Sequence, residues 1–399
     1  LPRGYGLRGS TMTSRSPRSG GRLIERRPAR LRELVRAATL AANGHNTQPW
    51  RFALTADTIT ILPDAARRLP VVDPQDRELW ISLGCALENL LVAARALGYA
   101  PEVTYPESVE AITVHLAPGI AQTGPLFAAI PLRQNTRSLY DGRPIPVAEL
   151  NQVQTLPLEP GVALQVLTSA AERETVLEYV TLGNLRQYAD KAFVAELIAW
   201  LRFNKREALA TLDGLYTRCA GKPEVPRWLG QRFVAGTQPR QQADADAAKL
   251  RSAPAVAVIA STTDDRRAWV RAGQVYERLA LTTTALNIKS AFLNQPVEVA
   301  GLRAQFQQAL GLGAAQPQLV IRMGDHEAQH PQLLLAQGVG IGQCGPGHRR
   351  SEGGEQPLHE LRRGRAGLAQ QRRERVTPTA RAGGSRILVC STWVVIAQV

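Results

Sequence analysis

Sulfur is scarce in this chain, with four cysteines and two methionines in 399 residues. Cys85, Cys219, Cys344 and Cys390 lie far apart and form no Cys-x-x-Cys pair or other ligand spacing, which argues against a disulfide framework or a thiolate metal site. A reducing, cytoplasmic compartment fits best. The alanine-rich run after Arg26-Arg27 is interrupted by Asn43, His45 and Asn46, and Ile387 to Val399 is interrupted by Ser391 and Thr392. Neither reaches the about 20 apolar residues that a membrane span requires, nor does a signal-peptide pattern appear, so a soluble protein without a membrane partner is expected.

Aromatic residues make up only 5% of the chain, and few accompany the arginines at its ends. This weakens a nucleic-acid reading of the net charge of +14, because single-strand binding uses bases stacked on aromatic rings. The charge is also unevenly placed. Residues 1–36 hold ten Arg against two Glu, and residues 325–399 hold ten Arg against six acids, leaving 28 basic and 26 acidic residues between. Basic ends of this kind read as solvated arms, and no nucleic-acid partner is expected.

What is present is 44% hydrophobic residues, enough for a large core. Residues 1–23 read as a disordered basic arm. Leu31, Leu34, Val35 and Ala38 have helical spacing that stops near Asn43-Gly44, and Arg51–Leu54 and Thr58–Leu62 read as strands. The clearest helix is 78–98, with Leu79, Leu83, Leu87, Leu90, Leu91, Ala94 and Leu97 on one face. Strands are expected at 102–105, 111–116, 162–168, 252–261 and 318–323, and helices at 171–212, 266–288 and 302–310. Residues 213–250 read as a long excursion or lid. Each half thus offers strands and one long amphipathic helix, dividing the chain into 24–130, 131–324 and a low-complexity tail at 325–399.

Two motifs in that tail match by letter only. Gly340 to Gly345 spells Gly-x-Gly-x-x-Gly, but no strand precedes it and Pro346-Gly347 follows where a helix should open. His326-Glu-x-x-His330 would need a stable helix and a third ligand, for which His348 or His359 is a weak candidate, so no metal site is expected.

The stretch "AANGHNTQPWRF", residues 41–52, gathers Asn43, His45, Asn46 and Gln48 beside Trp50, with no charge before Arg51. In "PLRQNTRSLYDGRPIP", residues 131–146, Arg133, Asn135 and Arg137 alternate, which in an extended chain turns Arg133 and Arg137 the same way. Paired guanidiniums suit phosphate, and neutral amides suit a planar heterocycle with carbonyl and imide groups. A flavin mononucleotide meets both demands.

"NGHNTQPWRF" resembles the Asn-x-Gln-Pro-Trp signature of the FMN-dependent nitroreductase superfamily, and "RQNTRSLYDGRPIP" is similar to the Arg-x-Ser-x-Arg stretch of those proteins. The order of segments over about residues 30–324 resembles the Acg-type branch, in which two nitroreductase halves are fused. The resemblance implies an α+β nitroreductase-like fold, two related halves each with a sheet flanked by helices, forming an intramolecular pseudo-dimer that exists as a monomer or homodimer. It implies FMN bound by Asn43, Gly44, His45, Asn46, Gln48, Arg133, Asn135, Arg137 and Arg322, with Arg322 adding a second phosphate contact. It further implies hydride transfer from NAD(P)H through the flavin to a nitroaromatic, quinone or similar acceptor, or, as the alternative, storage of FMN without turnover. Asn135 stands where the family has its phosphate-binding Ser, and Ala42-Asn43 where it has Pro-Ser.

Overall fold

The computed structural model describes residues 20–106, 110–325 and 386–388. The Gly-x-Gly-x-x-Gly and His-Glu-x-x-His letters, Cys344, Cys390 and most of both basic ends lie outside the described residues. In chain order, the first half contains α1 (Gly20–Ala38), β1 (Trp50–Leu54), β2 (Thr58–Pro63), α2 (Arg77–Ala96), β3 (Tyr99–Thr104), β4 (Ile112–Pro118) and α3 (Pro125–Ala129). The second begins with α4 (Val147–Gln154), β5 (Val162–Leu167), α5 (Ala170–Ala189), α6 (Lys191–Trp200), β6 (Leu201–Arg202), α7 (Lys205–Thr211) and β7 (Leu215–Tyr216). It continues through α8 (Arg227–Ala235), α9 (Pro239–Arg251), β8 (Ala255–Ser261), α10 (Arg266–Ala285), β9 (Lys289–Phe292), α11 (Gln295–Glu298), α12 (Leu302–Ala309) and β10 (Gln316–Gly324). A last strand, β11 (Arg386–Leu388), belongs to the stretch read as a low-complexity tail, yet pairs antiparallel with β1.

Two antiparallel sheets result, in the orders β11-β1-β2-β4-β3 and β5-β8-β10-β9. The β-branched run of β8 is buried at every position, as its composition predicts for a central strand. One hydrophobic core runs through both halves, from Leu34, Phe52 and Leu87 to Ala257, Leu279 and Ile321. The outcome is an α+β fold with each sheet flanked by helices.

The two long helices expected from periodicity, α2 and α10, pack against each other at the centre. Eighteen of the twenty residues of α2 are buried, so the single apolar face read from its leucines understates its burial. Close approach explains the difference. A Cβ on Gly84 would lie 2.0 Å from the Val270 carbonyl oxygen, and one on Gly273 would lie 2.0 Å from that of Ile81. Each glycine therefore admits the other helix's backbone, and the Cys85 thiol donates to the Gly273 carbonyl at 3.4 Å. By length and composition α2 could cross a membrane, but 89% of its apolar window is buried within the fold, which identifies it as a core helix.

Three boundaries depart from the sequence reading. α1 opens at Gly20, inside the expected arm, and stops at Ala38, where the Thr39 hydroxyl donates to the Arg36 carbonyl and the chain tightens into turns. The expected helix 171–212 is three helices, because Asp190 and Asn204 accept backbone N–H groups as fresh N-caps for α6 and α7. The excursion 213–250 contains α8 and α9, and α9 buries Ala243 and Leu250 despite its polar composition.

Candidate functional site

The 43–48 loop is built from backbone that most residues avoid. His45, Asn46 and Gln48 have φ of 50°, 53° and 53°. Non-glycine residues in this left-handed region cost about 1–3 kcal/mol each unless the surroundings fix them. Here they do. The Asn43 carboxamide oxygen accepts the Gln48 N–H at 2.8 Å, the Gly44 N–H donates to Ser82 Oγ of α2 at 3.3 Å, and the Ala42 N–H donates to Glu277 Oε2 of α10 at 3.2 Å. The central helix pair thus anchors the loop from both halves of the chain.

From this loop the Asn46 and Gln48 side-chain amides reach into the excursion. Asn46 Nδ2 donates to the Gly214 carbonyl at 3.0 Å and Gln48 Nε2 to that of Leu212 at 2.7 Å, while the Gly214 N–H returns to the Asn46 carbonyl at 3.1 Å. Between them Asp213 accepts from Arg67 at 3.1 Å and Arg202 at 2.6 Å, a latch joining the excursion to the first half. The Asn46 Oδ1 acceptor is buried and has no hydrogen-bond partner among the described residues. Nearby, a Cβ on Gly44 would touch Leu69 at 3.3 Å and the Glu78 carboxylate at 3.5 Å, and the cleft lined by Gly44, Thr47, Arg67, Glu78 and Ser82 holds about 10 Å³, room for one water.

The arginine stretch does not act as a simple fork. Arg133 enters the core, where its Nε lies 3.1 Å from Glu277 Oε1 with both side chains almost wholly buried, and its Nη2 donates to the Leu40 carbonyl at 3.3 Å. Burial opposes its charge, but the Glu277 carboxylate outweighs that and holds its pKa above the ordinary arginine value. Arg137 has different neighbours, Cys219, Asp246 and Tyr188, together with His45. The expected common direction of Arg133 and Arg137 is therefore not met, because residues 133–137 are not a continuous strand. Only Asn135 makes a bridge, parallel to Ser290, and its Oδ1 accepts from the Tyr276 hydroxyl at 3.4 Å.

Arg137 is half-buried and makes no hydrogen bond or ion pair within the described residues. Burial lowers its pKa against the opposing pull of Cys219 and Asp246, yet an arginine remains charged, so a cation without a direct hydrogen-bonded or ion-pair partner among the described residues stands at this point. Arg322, only 1% exposed, holds the backbone on either side of it: Nη2 donates to the Thr136 carbonyl at 2.9 Å and to that of Ser138 at 2.8 Å. Its guanidinium also lies 4.0 Å from the Tyr140 ring centroid. The hydrogen bonds of Arg322 thus shape the irregular stretch that presents Arg137.

Burial, and then the Arg137 charge, push His45 down to a pKa of about 4, so its imidazole is neutral at physiological pH. Because its folded pKa lies below the unfolded value of about 6.5, the unfolded chain takes up the proton first as pH falls. Stability from this group is complete above about pH 6.5 and is lost progressively toward pH 4. We expect denaturant titrations of the wild type to weaken more across that window than those of His45→Gln, by on the order of 2 kcal/mol for a partly buried ring. Parallel pH profiles for the two proteins would contradict this assignment.

Sequence reading found the 43–48 loop, the arginine stretch and Arg322, but missed Glu277, Ser82, Asp213 and Gly214. Nothing in "QVYERL" distinguishes Glu277 from a solvated helix residue. Gly214 carried a signal, an isolated glycine after Asp213, without saying what it approaches.

Fold and site together define an α+β protein in which the 43–48 loop lies against the central helix pair and the 212–214 turn, with Arg137 beside His45 and Arg322 holding the backbone around Arg137. The Mycobacterium tuberculosis protein named "Putative NAD(P)H nitroreductase Rv3131" is 27% identical over 312 residues, covering 74% of this chain and 84% of its own length. "Putative NAD(P)H nitroreductase acg" of the same organism is 26% identical over 306 residues, covering 74% and 88%. The motif resemblance to the nitroreductase superfamily and its Acg branch is borne out by these relatives. No family model matches the chain. A Bacteroides fragilis nitroreductase solved with bound FMN is 16% identical, with 57% of this chain and 100% of its own covered and a TM-score of 0.32.

Proposed function

We propose that this chain is an FMN-dependent NAD(P)H oxidoreductase of nitroreductase type, with a nitroaromatic, quinone or similar small acceptor. The observation that carries this reading is the unpaired Arg137 guanidinium, beside the neutral His45 imidazole and within the same loop system as the orphaned Asn46 acceptor. A half-buried cation without a direct partner attracts an anion, and a buried carboxamide oxygen seeks an N–H donor. A flavin phosphate and a flavin imide are one such anion and donor, so the residues present fit FMN.

In this reading Arg137 binds the phosphate, and Asn46 Oδ1 accepts from the imide edge. Arg133 and Glu277 hold the two loops in register, and Arg322 positions Arg137 instead of adding a second phosphate contact. Neutral His45 adds no charge against Arg137. FMN, when bound, supplies the two-electron carrier between nicotinamide and acceptor, and the protein contributes orientation, electrostatics and exclusion of water.

Storage of FMN without turnover is favoured by a different observation, the closure of residues 212–214 over Asn46 and Gln48 by the Asp213 latch. The two readings separate in one experiment. FMN-loaded protein mixed with NADPH without oxygen is expected to lose its yellow absorption and recover it on adding a quinone. Persistent colour would leave storage as the function. If the latch gates access, Asp213→Asn should bleach about three- to tenfold faster than wild type, as gating loops often limit turnover. An unchanged rate would remove the latch from the account.

A further inference from the structure

The excursion between Leu201 and Arg240 carries a surface unlike the rest of the molecule. Trp228, 67% exposed, and Phe233, 62% exposed, are the two exposed aromatic side chains among the described residues, and both lie on α8. The helix cannot turn them inward. Its opposite side holds Gly230, where a Cβ would lie 2.1 Å from the Phe203 ring, and Arg227, whose guanidinium sits 5.7 Å from that ring and 3.2 Å from Glu207. Helical spacing then places Trp228, Leu229, Arg232 and Phe233 along one outward arc. Burying exposed rings of this size is worth more than any other apolar gain available on this surface.

Within residues 201–240 the exposed charge is nearly all of one sign. Lys205, Arg206, Arg218, Lys222, Arg232 and Arg240 are exposed, against a single exposed carboxylate in that span, Glu224, which the Tyr216 hydroxyl already engages. A second copy of this cationic surface would be repelled, which disfavours self-association through it. Aromatic rings flanked by arginine and lysine suit the headgroup layer of a bilayer, where the rings sink and the long cationic side chains reach phosphates.

We propose that α8 and its basic surroundings dock the protein reversibly on an anionic phospholipid surface. The expected absence of a membrane partner came from the lack of a spanning run, and it does not bear on a helix lying in the interface plane.

The test uses the full chain and sedimentation with sucrose-loaded vesicles of pure phosphatidylcholine or of phosphatidylcholine with 30% phosphatidylglycerol. Binding is expected to the phosphatidylglycerol vesicles, and to fall by about tenfold or more between 50 and 300 mM NaCl, consistent with screening of several cations. The double variant Trp228→Ser, Phe233→Ser, whose residues touch no core, should lose about tenfold in binding while retaining its unfolding midpoint. Three results would overturn the proposal: no binding to anionic vesicles, binding that the double variant leaves intact, or a wild-type dimer that the double variant dissociates. The second would place the lipid contact elsewhere on the chain, and the third would make α8 a self-interface.

Discussion

Arg137→Ala is expected to weaken FMN binding by about a hundredfold or more while leaving the unfolding temperature nearly unchanged. The reasoning is local. Arg137 is half-buried and makes no hydrogen bond or ion pair within the described residues, so truncating it strands no directly bonded protein partner. Its loss is felt only by a ligand, and truncating a buried charge contact to an anion costs about 2–5 kcal/mol. Arg133→Ala makes the contrast. It would leave the Glu277 carboxylate buried and unpaired, at a cost of about 3–5 kcal/mol of stability, so flavin loss in that variant would not report on phosphate binding. Fluorescence titration of FMN against each variant, beside a thermal melt, checks both halves. Equal retention of FMN by Arg137→Ala would remove the phosphate assignment.

The second large effect concerns the frame. Gly273→Ala and Gly84→Ala each force a methyl against a backbone carbonyl of the facing helix, at 2.0 Å where contact distances begin above 3 Å. Neither neighbour is a flexible side-chain end, so α2 and α10 must separate. Each substitution is expected to cost at least about 3 kcal/mol, which for a chain of this size lowers the unfolding temperature by roughly 4–5 °C or more. Because Ser82 and Glu277 on these helices anchor the 43–48 loop, flavin affinity should fall with stability. A melt within two or three degrees of wild type, with flavin retained, would show that the helix pair tolerates a wider spacing.

The long helices and most strands were legible because their apolar residues repeat at the spacing of the element. β5, β8 and β10 lie within a few residues of their expected limits for that reason. What the pattern could not express was a partner. The leucines of α2 mark one face, whereas the glycines that bring α10 close look unremarkable in a helix, so burial on all sides came only with the fold. The hidden helices have another cause: α9, "PRQQADADAAKLR", offers few large apolar positions, and its packing rests on Ala243 and Leu250. At the site, unusual chemistry was readable and geometry was not. Neutral amides close to Trp50 in sequence drew attention to the 43–48 loop, but alternation alone set Arg133 and Arg137 side by side, since it assumes a regular strand where the structure has none, and the two have different neighbours. Arg322 was identified, while its commitment to the Thr136 and Ser138 carbonyls depends on a contact 184 residues away in sequence.

The central claim, a flavin held through its phosphate by Arg137, is tested most directly by comparing FMN with riboflavin on the wild-type protein. The two share the ring and the ribityl chain and differ only in the phosphate. Titrations followed by quenching of flavin fluorescence are expected to show FMN binding at least about a hundredfold tighter, the value of one buried charge contact. Equal affinities for the two flavins, or no uptake of either, would contradict the account.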